Sequence, residues 1–304
     1  MTPDADPGPT AAPLDVSIRS DPPPDWDDFV RAAERASFCH LAGWRDVLRT
    51  SLRLETSFLT ARSDGELHGV MPVVRMPRLG PGTALISMPY LNYGGPLGTR
   101  PARSRLVEAA VGEAERSGAR RLEIRSRQGV PNDLPPGREK VTVLLDLPDD
   151  PDTLFTDRFR SKLRSQIRRP MKEGMEARFG PGEMEPFYEI FAVNMRDLGT
   201  PVLPRRLFEE LLRVFPDEVD FGTVYHEGTP VAGGCGFHYR DEFEMTWASS
   251  LREYSRMAPN MLLYWSFMER CIERGRETFN FGRCTPGGGT HRFKGQWGGE
   301  DEPL

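Results

Sequence analysis

The chain is predicted to be α+β, built from two units in tandem with mixed, mostly antiparallel sheets. Three observations carry this. Helical and strand periodicities alternate in the same order in both halves: helices, an antiparallel meander, then a helix and a strand. The 304 residues suffice for two units of about 150. The Pro- and Asp-rich LPDDPD at 147–152 offers a seam, giving units at 14–150 and 151–304. The repeat is one of pattern, without an evident repeat of sequence.

Residues 1–13, MTPDADPGPTAAP, carry acids and prolines and no apolar stretch, so they are expected to form a disordered leader rather than a signal peptide. Leu14–Arg19 reads as a strand. Pro-Pro-Pro-Asp opens a helix over Asp25–Ser37, with Trp26, Phe29 and Val30 at helical spacing, and Leu41–Leu52 is a second helix. Strands follow at Glu55–Arg62, Leu67–Met76 and Thr83–Met88, the first two joined at Ser63-Asp64-Gly65. MPYLNYGGPLG (88–98) has loop chemistry. A helix over Arg103–Ser117 stops at Gly118, and strands come at Arg121–Arg125 and Val141–Leu147.

In the second half, helices are expected over 157–169, 183–198 and 204–215. Three strands follow, Val219–His226, Pro230–Tyr239 and Glu242–Ser249, the last two a hairpin through Arg240-Asp241. Helix Met261–Arg274 stops at Gly275, and strand Thr278–Phe281 leads into a pliable glycine-rich loop.

Composition excludes several classes. With 38% hydrophobic and 28% charged residues the chain has the make-up of a soluble globular protein. No apolar run approaches the ~18–20 residues that would span a bilayer. A net charge of −5 argues against general binding to nucleic acid, and no DNA partner is expected. Cys39, Cys235, Cys271 and Cys284 lack CxxC spacing and paired histidines, so reduced, buried thiols are expected, with no metal and no bound cofactor. A cytoplasmic protein follows, able to work near the inner membrane face.

Five stretches could carry chemistry. In RFRSKLRSQIRRPMKEG (158–174), Phe159, Leu163 and Ile167 form one apolar stripe, while Lys162, Arg164 and Arg168 stand among cations with no interleaved acid. Such a face is either solvated or answered by an anion such as polyphosphate, nucleotide or tRNA backbone. Pro170 predicts a helix end or kink there. In YLNYGGPLG (90–98), Gly94 and Gly95 either make a tight turn or leave backbone that a ligand can approach, with Tyr90, Asn92 and Tyr93 as a substrate wall. In NMRDLGTPV (194–202), Arg196 and Asp197 close a helix, and Asp197 is either a base or an orienter of arginine. Asn260 stands where a helix N-cap belongs, beside amides that could meet an anion. No glycine lies between Ser249 and Trp265, which weakens a standard pyrophosphate-binding turn. Finally, FNFGRCTPGGGTHRFKGQWG (279–298) presents Arg283, Arg292, Phe293 and Lys294 around a flexible turn, although Phe293 could equally be core.

These segments, roughly residues 40–304 in order, resemble the FemAB family, two GNAT-like (acyl-CoA N-acyltransferase) domains in one chain. The set MPYLNYGGPL, KLRSQIRRPMKEG, FYEIFAVNMRDLGTPV, WASSLREYSRMAPNMLLYW and FNFGRCTPGGGTHRFKGQWG more specifically resembles the FemAB-like proteins of exosortase/PEP-CTERM exopolysaccharide systems. The resemblance implies transfer of an acyl or aminoacyl group from an activated donor, aminoacyl-tRNA or acyl-CoA, to a sugar- or peptide-linked amine. In the family the acceptor is a peptidoglycan precursor. It also implies that Phe293-Lys294 matches a pair whose lysine stabilises charge at the reacting ester, and that the last residues return towards the first domain. Pro170 and the absence of an acid after Gly95-Pro96 depart from the family pattern. A non-catalytic scaffold with the same fold is the rival reading.

Overall fold

The computed structural model describes residues 13–77, 82–131, 134, 135, 137 and 139–304. The leader expected at 1–13 therefore lies, Pro13 apart, outside the described residues.

The first half begins with β1 (Asp15–Arg19), α1 (Trp26–Ala32) and α2 (Trp44–Leu52), with a 3-10 turn at Phe38–His40 between the helices. α1 is shorter than its pattern because Ala33 turns to extended geometry at ψ 130°. Then come β2 (Glu55–Ser63), β3 (Glu66–Pro77), β4 (Thr83–Ile86), β5 (Leu97–Gly98), α3 (Arg100–Arg116) and β6 (Arg121–Glu123). The sheet order is β1-β2-β3-β4-β6, with β5 on β3. α3 starts earlier than expected because the Thr99 hydroxyl accepts from the Ala102 amide and Pro101 fits its first turn. Its Ala102, Leu106 and Ala110 pack on Leu59, Met71 and Leu85 of the sheet.

The second half contains β7 (Val141–Asp146), α4 (Pro151–Thr153), a π-type turn at Leu154–Arg158, α5 (Ser161–Lys172) and β8 (Glu176–Phe179). It continues with α6 (Met184–Asp197), α7 (Arg205–Val214), β9 (Val219–His226), β10 (Thr229–Tyr239) and β11 (Glu242–Ser250). α8 (Pro259–Glu273), β12 (Thr278–Cys284), α9 (Gly289–Gly295) and β13 (Glu300–Pro303) complete it. The sheet order is β13-β7-β12-β11-β10-β9-β8.

β7 precedes the expected seam yet lies inside the second sheet, because Val143 and Leu145 belong to the second core. The division between sheets therefore falls before Val141, and 147–152 is a connection within the second unit. Pro170 does not stop α5 at once: the helix runs two residues further and closes around Gly174 at φ +74°. The glycine-rich segment is not wholly a loop, since 289–295 coil into α9.

The two halves share a core. Phe38 stacks on Phe237 with centroids 4.1 Å apart, and Trp44 lies 5.3 Å from Phe215. Tyr239 of β10 also donates to the Val30 carbonyl at 3.0 Å.

Candidate active site

β11 and β12 run parallel and pair at only three positions, from Glu242↔Thr278 to Glu244↔Asn280. Beyond these no ladder joins them, so the strands part and leave backbone groups that an extended ligand could pair. Both strands are irregular at the parting. Thr246 is an extra residue in β11, and the register of β12 on β7 shifts between Asn280 and Arg283. Gly282 permits the second irregularity. Its φ is +72°, and a Cβ there would come within 2.8 Å of Asn92 Nδ2 and 3.2 Å of the Met245 oxygen.

Alternation along β11 turns Glu242 and Glu244 towards the first half, while Phe243 enters the second core. Glu244 is 1% exposed. Its Oε1 accepts from Asn92 Nδ2 at 2.6 Å. Asn280 joins the same network: its Nδ2 donates to Glu242 Oε1 at 2.8 Å and to the Tyr93 hydroxyl at 3.0 Å. Its Oδ1 accepts from Thr142 Oγ1 at 2.6 Å and from the Gly282 amide at 2.8 Å. Burial, and then the neighbouring Glu242, push the Glu244 carboxyl up from 4.5 to about 8.

Lys294, 5% exposed, comes from α9. Its Nζ donates to the carbonyls of Gly282 at 2.6 Å and Arg283 at 3.2 Å. Burial draws its ammonium down from 10.5 to about 8, against the pull of Cys284 and Glu244. A carboxyl and an ammonium with ionisations near neutrality thus stand in each other's field where the strands part, without bonding each other, an arrangement suited to proton transfer and oxyanion stabilisation. Phe293 packs edge-on to Tyr264 at 5.0 Å, so it anchors α9 rather than facing the network.

The other candidates divide. Tyr93 is 1% exposed with the Arg127 guanidinium 5.2 Å above its ring, so it is a strut between the halves and not an open wall. The space over the next two residues is filled by protein: a Cβ on Gly94 would lie 2.5 Å from Met88 Cγ, and one on Gly95 2.7 Å from the Arg125 oxygen. Arg283 is half-buried and faces the junction, with Glu244 and Tyr93 in its field. Arg292 is exposed and donates to the Gly287 carbonyl at 2.8 Å. Asn260 is not the N-cap of α8. Ala258 holds that place at φ +57°, and Asn260 is the second helical residue after Pro259.

Lys162 and Arg168 are exposed on α5, where Arg168 covers the Phe155 ring at 5.0 Å. Arg164 is half-buried and bonds the Thr156 carbonyl. Among the described residues none of the three has a carboxylate partner. Phe159, just before α5, lies 5.6 Å from Trp297, just after α9. Asp197 and Arg196 are exposed at the end of α6 and pair with each other at 2.9 Å, so no bond links Asp197 to the junction. Three residues earlier, Asn194 bonds Ser249 Oγ at 3.0 Å on the free end of β11.

Glu244, Asn280 and Arg127 were not evident from sequence. Glu244 reads there as an ordinary polar position of a hairpin strand. Its signal, a carboxylate two residues from another on one strand face, is common in exposed sheets.

Residues 157–295 match the family model described as an acetyltransferase (GNAT) domain. Among solved structures, the crystal structure of FemX superposes with a TM-score of 0.67 at 14% identity, covering 94% of this chain and 95% of that one. A conserved protein of unknown function from Bacteroides thetaiotaomicron VPI-5482 gives 0.59 at 15% identity, covering 93% and 95%. No curated protein matches significantly. At such identities the likeness is one of fold. Joined with two successive mixed sheets and the matched domain in the second, it gives this chain a tandem GNAT fold of the FemX kind.

Proposed function

We propose that the protein is an N-acyltransferase that forms an amide on an amine of a cell-envelope or exopolysaccharide precursor, by direct transfer without a covalent enzyme intermediate. The observation that carries this reading is the parting of β11 from β12 beside buried Glu244 and Lys294. Glu244 takes a proton from the attacking ammonium. The nitrogen then forms its bond to the donor carbonyl carbon, and the charged Lys294 meets the oxyanion. As the carbon–sulfur or carbon–oxygen bond of the donor breaks, Glu244 passes that proton to the leaving thiolate or ribose oxygen. The freed carboxylate takes the second proton that the nitrogen sheds and releases it to solvent.

The cations Lys162, Arg164 and Arg168, which have no carboxylate partner among the described residues, favour a donor on a polyanionic carrier, aminoacyl-tRNA or acyl-CoA. The envelope acceptor rests on the motif resemblance, as does a site of action at the inner membrane face. No helix among the described residues is long and apolar enough to cross a membrane. The test is thermal shift with each donor, followed by turnover of Lys294→Met. The cognate donor raises Tm, by about 2.7 kcal/mol of stabilisation at 100 times Kd. The variant binds it but transfers about 100–1000-fold more slowly. Absence of any donor shift would favour a non-catalytic scaffold.

A further inference from the structure

Arg283 is a half-buried guanidinium that, among the described residues, makes no hydrogen bond and no ion pair. Its register opposite Thr142, whose hydroxyl bonds Asn280, turns it towards the first half, while Phe281 and Cys284 enter the core behind. On that side lies the segment held by Arg125, whose charge acts on Arg283. The Arg125 guanidinium donates to the Leu91 carbonyl at 2.6 Å, and the next residue, Asn92, abuts Gly282. The carboxylate at hand, Glu123, is taken by Arg121 at 2.6 Å and Arg125 at 2.8 Å. Two guanidinium groups thus already occupy Glu123, and Arg283 lies in its field and that of Glu244 without bonding either. Burial, then Arg125, hold Arg283 below the usual arginine range. The covering loop is itself strained, with Met88 at φ +55° and Tyr90 at φ +68°, and Tyr90 stands 41% exposed at its rim.

A partly desolvated cation beside a like charge is unfavourable unless an anion completes it. We propose that Arg283 and Arg125 form a receiving site for an oxyanion, phosphate or carboxylate, borne by the amine acceptor. The side of the sheet supports this, since Arg283 shares with Glu244 the face turned to the first half, and α5 and α8 cover the other. That the oxyanion belongs to the acceptor rests on the acyltransferase reading; the site itself does not.

The test is thermal shift and calorimetric titration with inorganic phosphate, pyrophosphate and succinate against sodium chloride at matched ionic strength. It uses the full chain, Arg283→Met and Arg283→Lys. One oxyanion saturates the wild type and binds Arg283→Met about tenfold or more weakly, as loss of a charged hydrogen bond implies. Arg283→Lys falls between, and Arg283→Met alone melts higher because a repulsion is relieved. A preference for phosphates marks a phosphorylated acceptor, and one for succinate a carboxylated acceptor. Equal anion response in wild type and both variants, or no response beyond sodium chloride, overturns the site. Donor binding is measured separately, so failure of the acyltransferase reading shows as a missing donor shift with the anion response intact.

Discussion

At Glu244 and Lys294 two buried groups are displaced towards each other in pKa, and each leaves a signature in pH dependence. Glu244 is held above its unfolded value, so its contribution to stability is complete below pH 4.5 and is lost as pH rises towards 8. Lys294 is held below its unfolded value. Its charged form is penalised at and below pH 8, and stability recovers as pH rises from there to 10.5. Unfolding free energies measured across pH should show the first slope vanish in Glu244→Gln and the second in Lys294→Met. Turnover needs an ionised carboxylate and a charged ammonium, so its pH profile is a bell centred near 8, and Glu244→Gln loses the acid limb. Gly282 is a third sensitive position. Gly282→Ala forces a Cβ against Asn92 at positive φ and should cost about 1–3 kcal/mol of stability, together with most of the activity. Chemical denaturation and a transfer assay read both. An unchanged protein would mean that the β12 irregularity is not needed.

The elements show why some of this was legible and some was not. Long amphipathic or alternating segments were legible because burial enforces their period: Phe159, Leu163 and Ile167 are all buried. The helix expected over 157–169 nevertheless begins only at Ser161, since Phe159 turns to extended geometry at ψ 132° and leaves Leu163 and Ile167 as the stripe on α5. The hairpin through Arg240-Asp241 was equally clear, since a polar dipeptide between apolar alternations leaves little choice. β13 was invisible because Glu-Asp-Glu-Pro has little strand propensity, and pairing with β7 together with the ion pairs of Glu302 to Arg35 and Arg127 holds it. The site followed the same division. Lys294 was found through a resemblance, while Glu244 became chemical only through burial under Asn92, which lies 152 positions away. Tyr93, Gly94 and Gly95 were located but misread, because a sequence does not say whether the space over a glycine belongs to a ligand or to Met88 and Arg125.

For the whole molecule, the shared core makes the two halves interdependent. Phe38 and Trp44 of the first half pack against Phe215 and Phe237 of the second, and Arg127 bridges Glu242 and Glu302 at 2.9 Å each. Calorimetry should therefore show one unfolding transition, and Phe38→Ala should lower the stability of the entire chain by about 3–5 kcal/mol. Two separable transitions, with only one shifted, would mean that the halves merely touch. The proposed reaction depends on this union, because Asn92 from one half donates to the carboxyl of Glu244 in the other. The most direct measurement is mass-spectrometric detection of the amide formed when the cognate donor and amine-bearing envelope precursors meet the wild type, Glu244→Gln and Lys294→Met. Product from the wild type at about 100-fold or more above both folded variants is the expected result. Equal product from all three would contradict a reaction centred on this junction.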